Sequence, residues 1–132
     1  MLHTLAVATG SRTELLDLTS KIQDLVRQSG VSRGLCHIFV PHTTAGVTIN
    51  ENADPSVKAD ILMVLNKIIP DREAYRHGEG NSPAHIKSSL VGPQLTVFVN
   101  DGRLLLGTWQ GIYFCEFDGP RSRQLHVKVV AD

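Results

Sequence analysis

Leu95-Thr96-Val97-Phe98-Val99-Asn100-Asp101-Gly102-Arg103-Leu104-Leu105-Leu106 decides the fold class. A β-branched and aromatic run meets Asn-Asp-Gly, and a second apolar run follows. Asn, Asp and Gly tolerate the left-handed backbone of a tight hairpin turn, so the stretch reads as strand 95–99, turn 100–102 and strand 104–106. Further out, 111–117 and 124–130 also read as strands, so the last third of the chain is strand-rich. Towards the N-terminus, 2–8, 14–18, 35–40 and 47–50 have strand character. Thr19 is placed to cap a helix over 20–29, with Ile22, Leu25 and Val26 on one face and Gly30 as its stop. Asp54-Pro55 opens a second helix, because Asp accepts from free N–H groups and Pro tolerates the first turn. In it Val57, Ile61, Val64, Leu65 and Ile68 recur at helical spacing and predict a buried face, and Pro70 ends it. Residues 84–90 read as a short extra helix. The expectation is one α+β domain over 1–132, its mainly antiparallel sheet forming a half-barrel or sandwich, with two main helices.

A chain of 132 residues has room for one domain. Thirteen Lys plus Arg balance thirteen Asp plus Glu. A neutral chain is a poor coat for nucleic acid, which needs many phosphates neutralised, but two or three placed cations suffice for a small phosphorylated ligand. No apolar run approaches the ~20 residues of a membrane span. Met1-Leu2-His3-Thr4 does not start a signal peptide, so a cytoplasmic protein is expected. Cys36 and Cys115 sit in apolar runs and read as buried, reduced thiols.

Three stretches concentrate polar chemistry. Pro41-His42-Thr43-Thr44-Ala45-Gly46 is followed by Asn50-Glu51-Asn52-Ala53-Asp54. Glu51 and Asp54 suit a hard cation such as Mg²⁺, although Asp54 reads equally as a plain helix cap and Asn50 as a turn former. His77-Gly78-Glu79-Gly80-Asn81-Ser82-Pro83-Ala84-His85-Ile86-Lys87 offers two imidazoles near an acid and glycines that let a ligand approach the backbone. The interval between His77 and His85 is not a zinc spacing, so ordinary loop histidines are the alternative. Gly107-Thr108-Trp109-Gln110-Gly111 presents a flat ring beside an amide, or a simple core tryptophan. Arg121 and Arg123 alternate at a strand start, which points one guanidinium towards a phosphate. No Walker or dinucleotide glycine loop and no nucleophile elbow is present.

The collinear series His42-Thr43-Thr44-Ala45, Thr48-Ile49-Asn50-Glu51-Asn52, Asp54-Pro55, His77, Glu79-Gly80-Asn81, Ala84-His85-Ile86-Lys87, Gly107-Thr108-Trp109-Gln110 and Asp118-Gly119-Pro120-Arg121 resembles the YjbQ-like family, also described as secondary thiamine-phosphate synthases. The resemblance covers essentially the whole chain. It implies a half-barrel-like antiparallel sheet and a homotrimer with sites near subunit interfaces. The activity it implies joins a pyrimidine diphosphate to a thiazole phosphate with release of pyrophosphate. On that reading His42, Glu51, Asp54 and His85 carry catalysis. Thr43, Thr44, Asn50, Lys87, Trp109, Gln110 and Arg121 bind the phosphorylated substrate. His77 and His85 hold a divalent ion, Mg or Zn. A metal-dependent hydrolase or phosphatase, and a non-catalytic trimer binding a small anionic metabolite, are the competing readings. All of them expect His42, Glu51, Asp54, His77, His85 and Lys87 to line one cleft built from one or two subunits, because unpaired charges are costly in a core.

Overall fold

The computed structural model describes all residues, 1–132. In chain order its elements are β1 (Leu2–Ala8), β2 (Glu14–Asp17), α1 (Thr19–Ser29), β3 (Gly34–Phe39), β4 (Ala45–Glu51), α2 (Pro55–Ile68), α3 (Ser82–Val91), β5 (Gln94–Asn100), β6 (Arg103–Leu104), β7 (Gln110–Glu116) and β8 (Ser122–Ala131). The strands form two antiparallel sheets, one ordered β1-β8-β3-β5-β6 and the other β2-β7-β4. The first ties the chain ends together, with Leu5 opposite Leu125. This is the single-domain α+β half-barrel expected from the sequence.

The main core lies between the sheets and takes Ile22, Leu25 and Val26 of α1 as its plug. A smaller cluster on the far side of the second sheet packs Leu15, Tyr113, Cys115 and Phe117 against α2 and α3. Strand β7 is therefore covered on both faces. Ile112 and Phe114 enter the main core while Tyr113 and Cys115 enter the smaller one. That explains why Ile112-Tyr113-Phe114-Cys115 is continuously apolar rather than alternating.

Local signals fare well where their chemistry is self-contained. Asp101 and Gly102 have φ of 52° and 72°, the left-handed pair a two-residue hairpin turn needs. Gly30 closes α1 in the left-handed conformation, and Asp54 caps α2 by accepting from the Ser56 N–H at 2.9 Å. Four expectations need correction. Thr19 is the first residue of α1, not its cap; Asp17, further upstream, accepts from the Thr19 N–H at 2.9 Å. The strand expected over 104–106 is only Arg103–Leu104, because the chain turns back on itself just after it, the Leu106 N–H donating to the Leu104 carbonyl at 3.0 Å. The short helix over 84–90 is a full third helix of ten residues. Helix α2 buries no residue completely, and Met63, Val64 and Ile68 stay exposed. Its apolar stripe rests on a three-stranded sheet already shared with α3, which is too narrow to cover it. No helix is long and apolar enough to cross a membrane.

Cys36 and Cys115 are buried and unpaired. They occupy different clusters, on opposite sides of the second sheet. Burial pushes their thiols up to about 11 and about 12 respectively. A thiolate is the reactive form, so neither should react with a thiol reagent at neutral pH in the folded protein. Two free thiols per chain should appear on denaturation without reductant; fewer would mean a bridge.

Candidate functional site

Strand β4 is the axis on which the polar residues are arranged. It runs from Ala45, opposite Glu116, to Glu51, opposite Gln110. Seven residues at strand rise separate these ends by about 20 Å.

At the Glu51 end, Trp109 is 62% exposed, and its carbonyl accepts from the Asn52 N–H at 3.0 Å. Trp109 is thus a surface ring and not a core residue. Gln110 Oε1 accepts from the Gly107 N–H at 2.8 Å, which closes the Gly-Thr-Trp-Gln turn on itself. Asn50 Oδ1 accepts from the Glu51 N–H at 2.7 Å. The Tyr113 hydroxyl donates to the Glu51 carbonyl at 3.0 Å. Asp54 is exposed, and its Oδ1 also accepts from the Ser56 hydroxyl at 2.6 Å. These hydrogen bonds hold the Asp54 carboxyl below its ordinary value. Capping accounts for its contacts within one chain.

The opposite end holds a buried ion pair, Arg123 with Glu116, whose side chains are 5% and 0% exposed. The Arg123 Nε–H donates to Glu116 Oε1 at 2.8 Å, and its Nη2–H also donates to Thr44 Oγ1 at 2.8 Å. Glu116 further accepts from the Thr9 hydroxyl at 2.7 Å and the Asp118 N–H at 3.0 Å. Burial alone would raise the Glu116 carboxyl. The Arg123, Asp118 and Thr9 donors outweigh burial and hold it below the usual range. Sequence reading missed Glu116 and Thr9 and chose Arg121 over Arg123. The available signal was a charged residue closing the apolar run of β7 and a second arginine two residues past Arg121.

The backbone N–H of Arg121 donates to Thr9 Oγ1 at 2.8 Å, but its side chain stands outside this network. It donates to the Asp118 carbonyl at 2.8 Å and the Asp118 carboxylate at 3.0 Å. Asp118 also accepts from Asn81 Nδ2–H at 2.9 Å, which ties the Asp118–Arg121 turn to the start of α3. Asn81 Oδ1 is buried without a partner. His42 is half-buried, and its Nε2 accepts from the Gln124 N–H at 2.9 Å. Burial and the nearby Arg123 charge lower its pKa, so it is a neutral imidazole with its proton on Nδ1. Thr44 is buried against Arg123, whereas Thr43 is exposed and its carbonyl accepts from the Ser88 hydroxyl of α3.

His77 and His85 do meet. Their rings lie edge to face with centroids 5.2 Å apart, in a shallow hollow with Tyr75, Ser82 and Ile86. Glu79 is 3.8 Å from His77. Nowhere do three His, Cys, Asp or Glu side chains converge to hold a metal. A catalytic zinc takes three protein ligands and Mg²⁺ prefers oxygen, so the donor set of one chain falls short of either ion.

Lys87 lies on a different side of α3 from His85. It is 3% exposed, and its ammonium donates to Asn66 Oδ1 of α2 at 2.5 Å. No carboxylate lies within ion-pair distance of it. Burial lowers its pKa, Asp71 partly restores it, and Arg12 lowers it again. An ammonium carries three donors, and a neutral amide satisfies one of them.

The expected single cleft therefore does not form within one chain. Glu51, Asp54, Asn50, Trp109 and Gln110 gather at one end of β4. His42, Thr43, Thr44, Lys87 and Arg121 gather at the other, with His77 and His85 by the start of α3.

The family model described as UPF0047 protein YjbQ-like matches residues 3–132. The chain belongs to the YjbQ-like UPF0047 family. Among relatives of this YjbQ-like chain, the UPF0047 protein MJ1081 of Methanocaldococcus jannaschii is 54% identical over 132 residues, covering 100% of this chain and 96% of that protein. The UPF0047 protein YugU of Bacillus subtilis is 51% identical over 131 residues, 98% of this chain and 99% of that one. A crystal structure of a YjbQ/UPF0047 protein from Clostridium acetobutylicum superposes with a TM-score of 0.95 at 50% identity, covering 97% and 99% of the two chains. A YbjQ-like protein of unknown function from Sulfolobus solfataricus gives 0.95 at 32% identity, covering 100% and 97%. None of these names states an activity.

Proposed function

We propose that this UPF0047 chain binds a small phosphorylated metabolite at the Lys87 end of the second sheet. The observation that carries this is the Lys87 ammonium, buried with one amide acceptor and no carboxylate. A buried charge left so sparsely paired is costly unless a ligand completes it, and a phosphate offers the charge and acceptors it lacks. In finer terms, the proposal is a cytoplasmic transferase of the thiamine-phosphate synthase type, joining a pyrimidine diphosphate to a thiazole phosphate. The demand in such a transfer is to stabilise the departing pyrophosphate, and Lys87 supplies a cation for it beside the Arg12–Asp71 ion pair. A divalent ion at His77 and His85 would need further donors from substrate or from a partner copy.

The active form of this proposal is a homotrimer. Two features support it: the candidate residues are divided between sites about 20 Å apart on one chain, and α2 leaves Met63, Val64 and Ile68 uncovered. Association would let the Glu51 end of one copy complete the Lys87 end of another. Light scattering at micromolar concentration should find a particle three times the 14.4 kDa chain. A monomer would defeat this form of the site.

Calorimetry with inorganic pyrophosphate tests the anion site. Lys87→Met should weaken binding by at least about tenfold while circular dichroism stays unchanged, since one charge-assisted contact carries that much. Equal binding by wild type and variant would refute the role of Lys87. Pyrophosphate release from the two thiamine precursors supports the transferase. Hydrolysis across a panel of phosphate esters supports the hydrolase. Binding without either turnover supports the non-catalytic binder.

A further inference from the structure

The five-stranded sheet ends in β1 on one side and in β6 on the other. Strand β6 is two residues long. In the second sheet β2 has four residues and carries Glu14 and Asp17. Strand β4 is flanked by α3, where the Val47 N–H donates to the Gly92 carbonyl at 3.0 Å. Strand β1 has none of these protections. Leu2-His3-Thr4-Leu5-Ala6-Val7-Ala8 contains no Lys, Arg, Asp, Glu, Pro or Gly, and it keeps register with β8 without a bulge. Natural sheets blunt their edges with those very devices, so an edge without them is suited to pairing with another chain.

The alternation of the ladder fixes which backbone groups are free. The Thr9 N–H donates to the Arg121 carbonyl at 3.0 Å and continues the β1–β8 register. Counting back in twos, Val7, Leu5 and His3 bond β8, while Leu2, Thr4 and Ala6 turn their N–H and C=O groups to the open edge. No loop or helix backbone takes them. The side chains of Leu2, Thr4 and Ala6 are exposed on the outer face of the sheet. Their neighbours on that face are Gln124, His126 and Lys128 of β8. Across β1, β8, β3 and β5 no Asp or Glu shares the face, and Lys128 is its one fixed charge. On the inner face, beside His3, the sheet and the end of α1 border a hollow of about 390 Å³, lined by Met1, His3, Gln28, Ser29, Val31 and Val129.

We infer that the open edge of β1 binds an acidic, extended segment of another protein as an added antiparallel strand. Backbone bonds to Leu2, Thr4 and Ala6 supply the affinity, and the side chains that alternate along the segment select the partner. Its outward side chains fall on the Lys128 face, where carboxylates are attracted and ammonium groups repelled. One inward side chain, next to His3, enters the hollow at the end of α1. A second copy of this chain is the poorer occupant, because its β1 is uncharged and would set another Lys128 on the same face. The edge belongs to the sheet that does not carry Lys87, so the inference stands apart from the anion site.

The probes are a blocked octapeptide in which glutamate alternates with valine, one valine being replaced by phenylalanine, and its counterpart with lysine for glutamate. Hydrogen exchange on the full chain reads the edge directly. In the protein alone the Thr4 and Ala6 amides should exchange quickly and those of Leu5 and Val7 slowly. The glutamate peptide at saturation should slow Thr4 and Ala6 by at least about tenfold, and should shift the methyl resonances of Val31 and Val129. The lysine peptide should bind at least about tenfold more weakly at low salt, and added salt should narrow the gap. Thr4→Pro removes an N–H that β8 does not use and should abolish peptide binding. Ala6→Glu leaves the backbone whole, and should weaken the glutamate peptide and tighten the lysine one. No protection by the glutamate peptide, equal binding of the two peptides, or unchanged binding by Ala6→Glu overturns the inference. Thr4 and Ala6 amides that are slow in the protein alone and quicken on dilution identify a second copy as the occupant, and overturn it as well.

Discussion

Glu116→Ala is expected to cost about 3–5 kcal/mol of folding stability, the usual cost of removing one partner of a buried ion pair. The reason is what remains. Arg123 is always charged, its side chain is 5% exposed, and its remaining acceptors are the Thr44 hydroxyl and carbonyl. The Asp118 N–H loses its acceptor in the same substitution, and the Thr9 hydroxyl is left with the Arg121 carbonyl at 3.1 Å. Equilibrium urea unfolding measures the loss; a change below about 1 kcal/mol, the scale of an exposed pair, would show that the pair is not buried as described. Glu116→Leu combined with Arg123→Met should cost less than Glu116→Ala alone, because no stranded charge is left. The pH dependence has a definite sign. The Glu116 carboxyl is held below its ordinary value of 4.5 in the fold, so its contribution is fully present above that value. It is lost as pH falls through the lower folded value. The double variant should therefore show a shallower loss of stability under acid than the wild type.

Gly34→Ala should be nearly as damaging, by about 3 kcal/mol, at the upper end of overpacking costs. Gly34 lies in β3, between Val99 of β5 and Ala131 of β8. A Cβ there would fall 2.0 Å from the Val130 carbonyl oxygen and 2.9 Å from the Ala131 Cα. Both obstacles are backbone, so no rotamer change relieves the clash. Strand β8 would have to move, pulling at the Asp132 N–H to Arg33 carbonyl bond of 3.1 Å. Thermal unfolding provides the measurement, with Gly10→Ala as the control, since nothing lies within 4 Å of a Cβ at Gly10. Equal melting temperatures for the two variants would show that β3 and β8 are not so closely apposed.

Family motifs recur along the whole chain, and the matched relatives share its length, so the fold class and family were both legible from residues alone. Turn and cap chemistry was legible for a physical reason. Asp101-Gly102, Gly30 and Asp54-Pro55 act on their own backbone or on neighbours within a few residues, so their meaning is nearly independent of context. The strand periods were legible because burial imposes them. The continuous run Ile112 to Cys115 even marks β7 as the strand covered on both faces.

What the tertiary structure decided depends on residues brought together from far apart in the chain. Glu116 and Thr9 meet across 107 positions, and Arg123 and Thr44 across 79. No local pattern shows that these polar groups satisfy one another. Lys87 reads as a phosphate-binding candidate on a short helix, and only Asn66 and the α2–α3 contact show that it is buried. Arg121 and Arg123 are equivalent by strand alternation, and only the position of Asp118 sends one to a surface pair and the other into the interior. The grouping of the candidate residues follows the same rule. Their types and motifs were written in the sequence, but their division between the two ends of β4 is a property of strand length and pairing, which long-range packing alone determines.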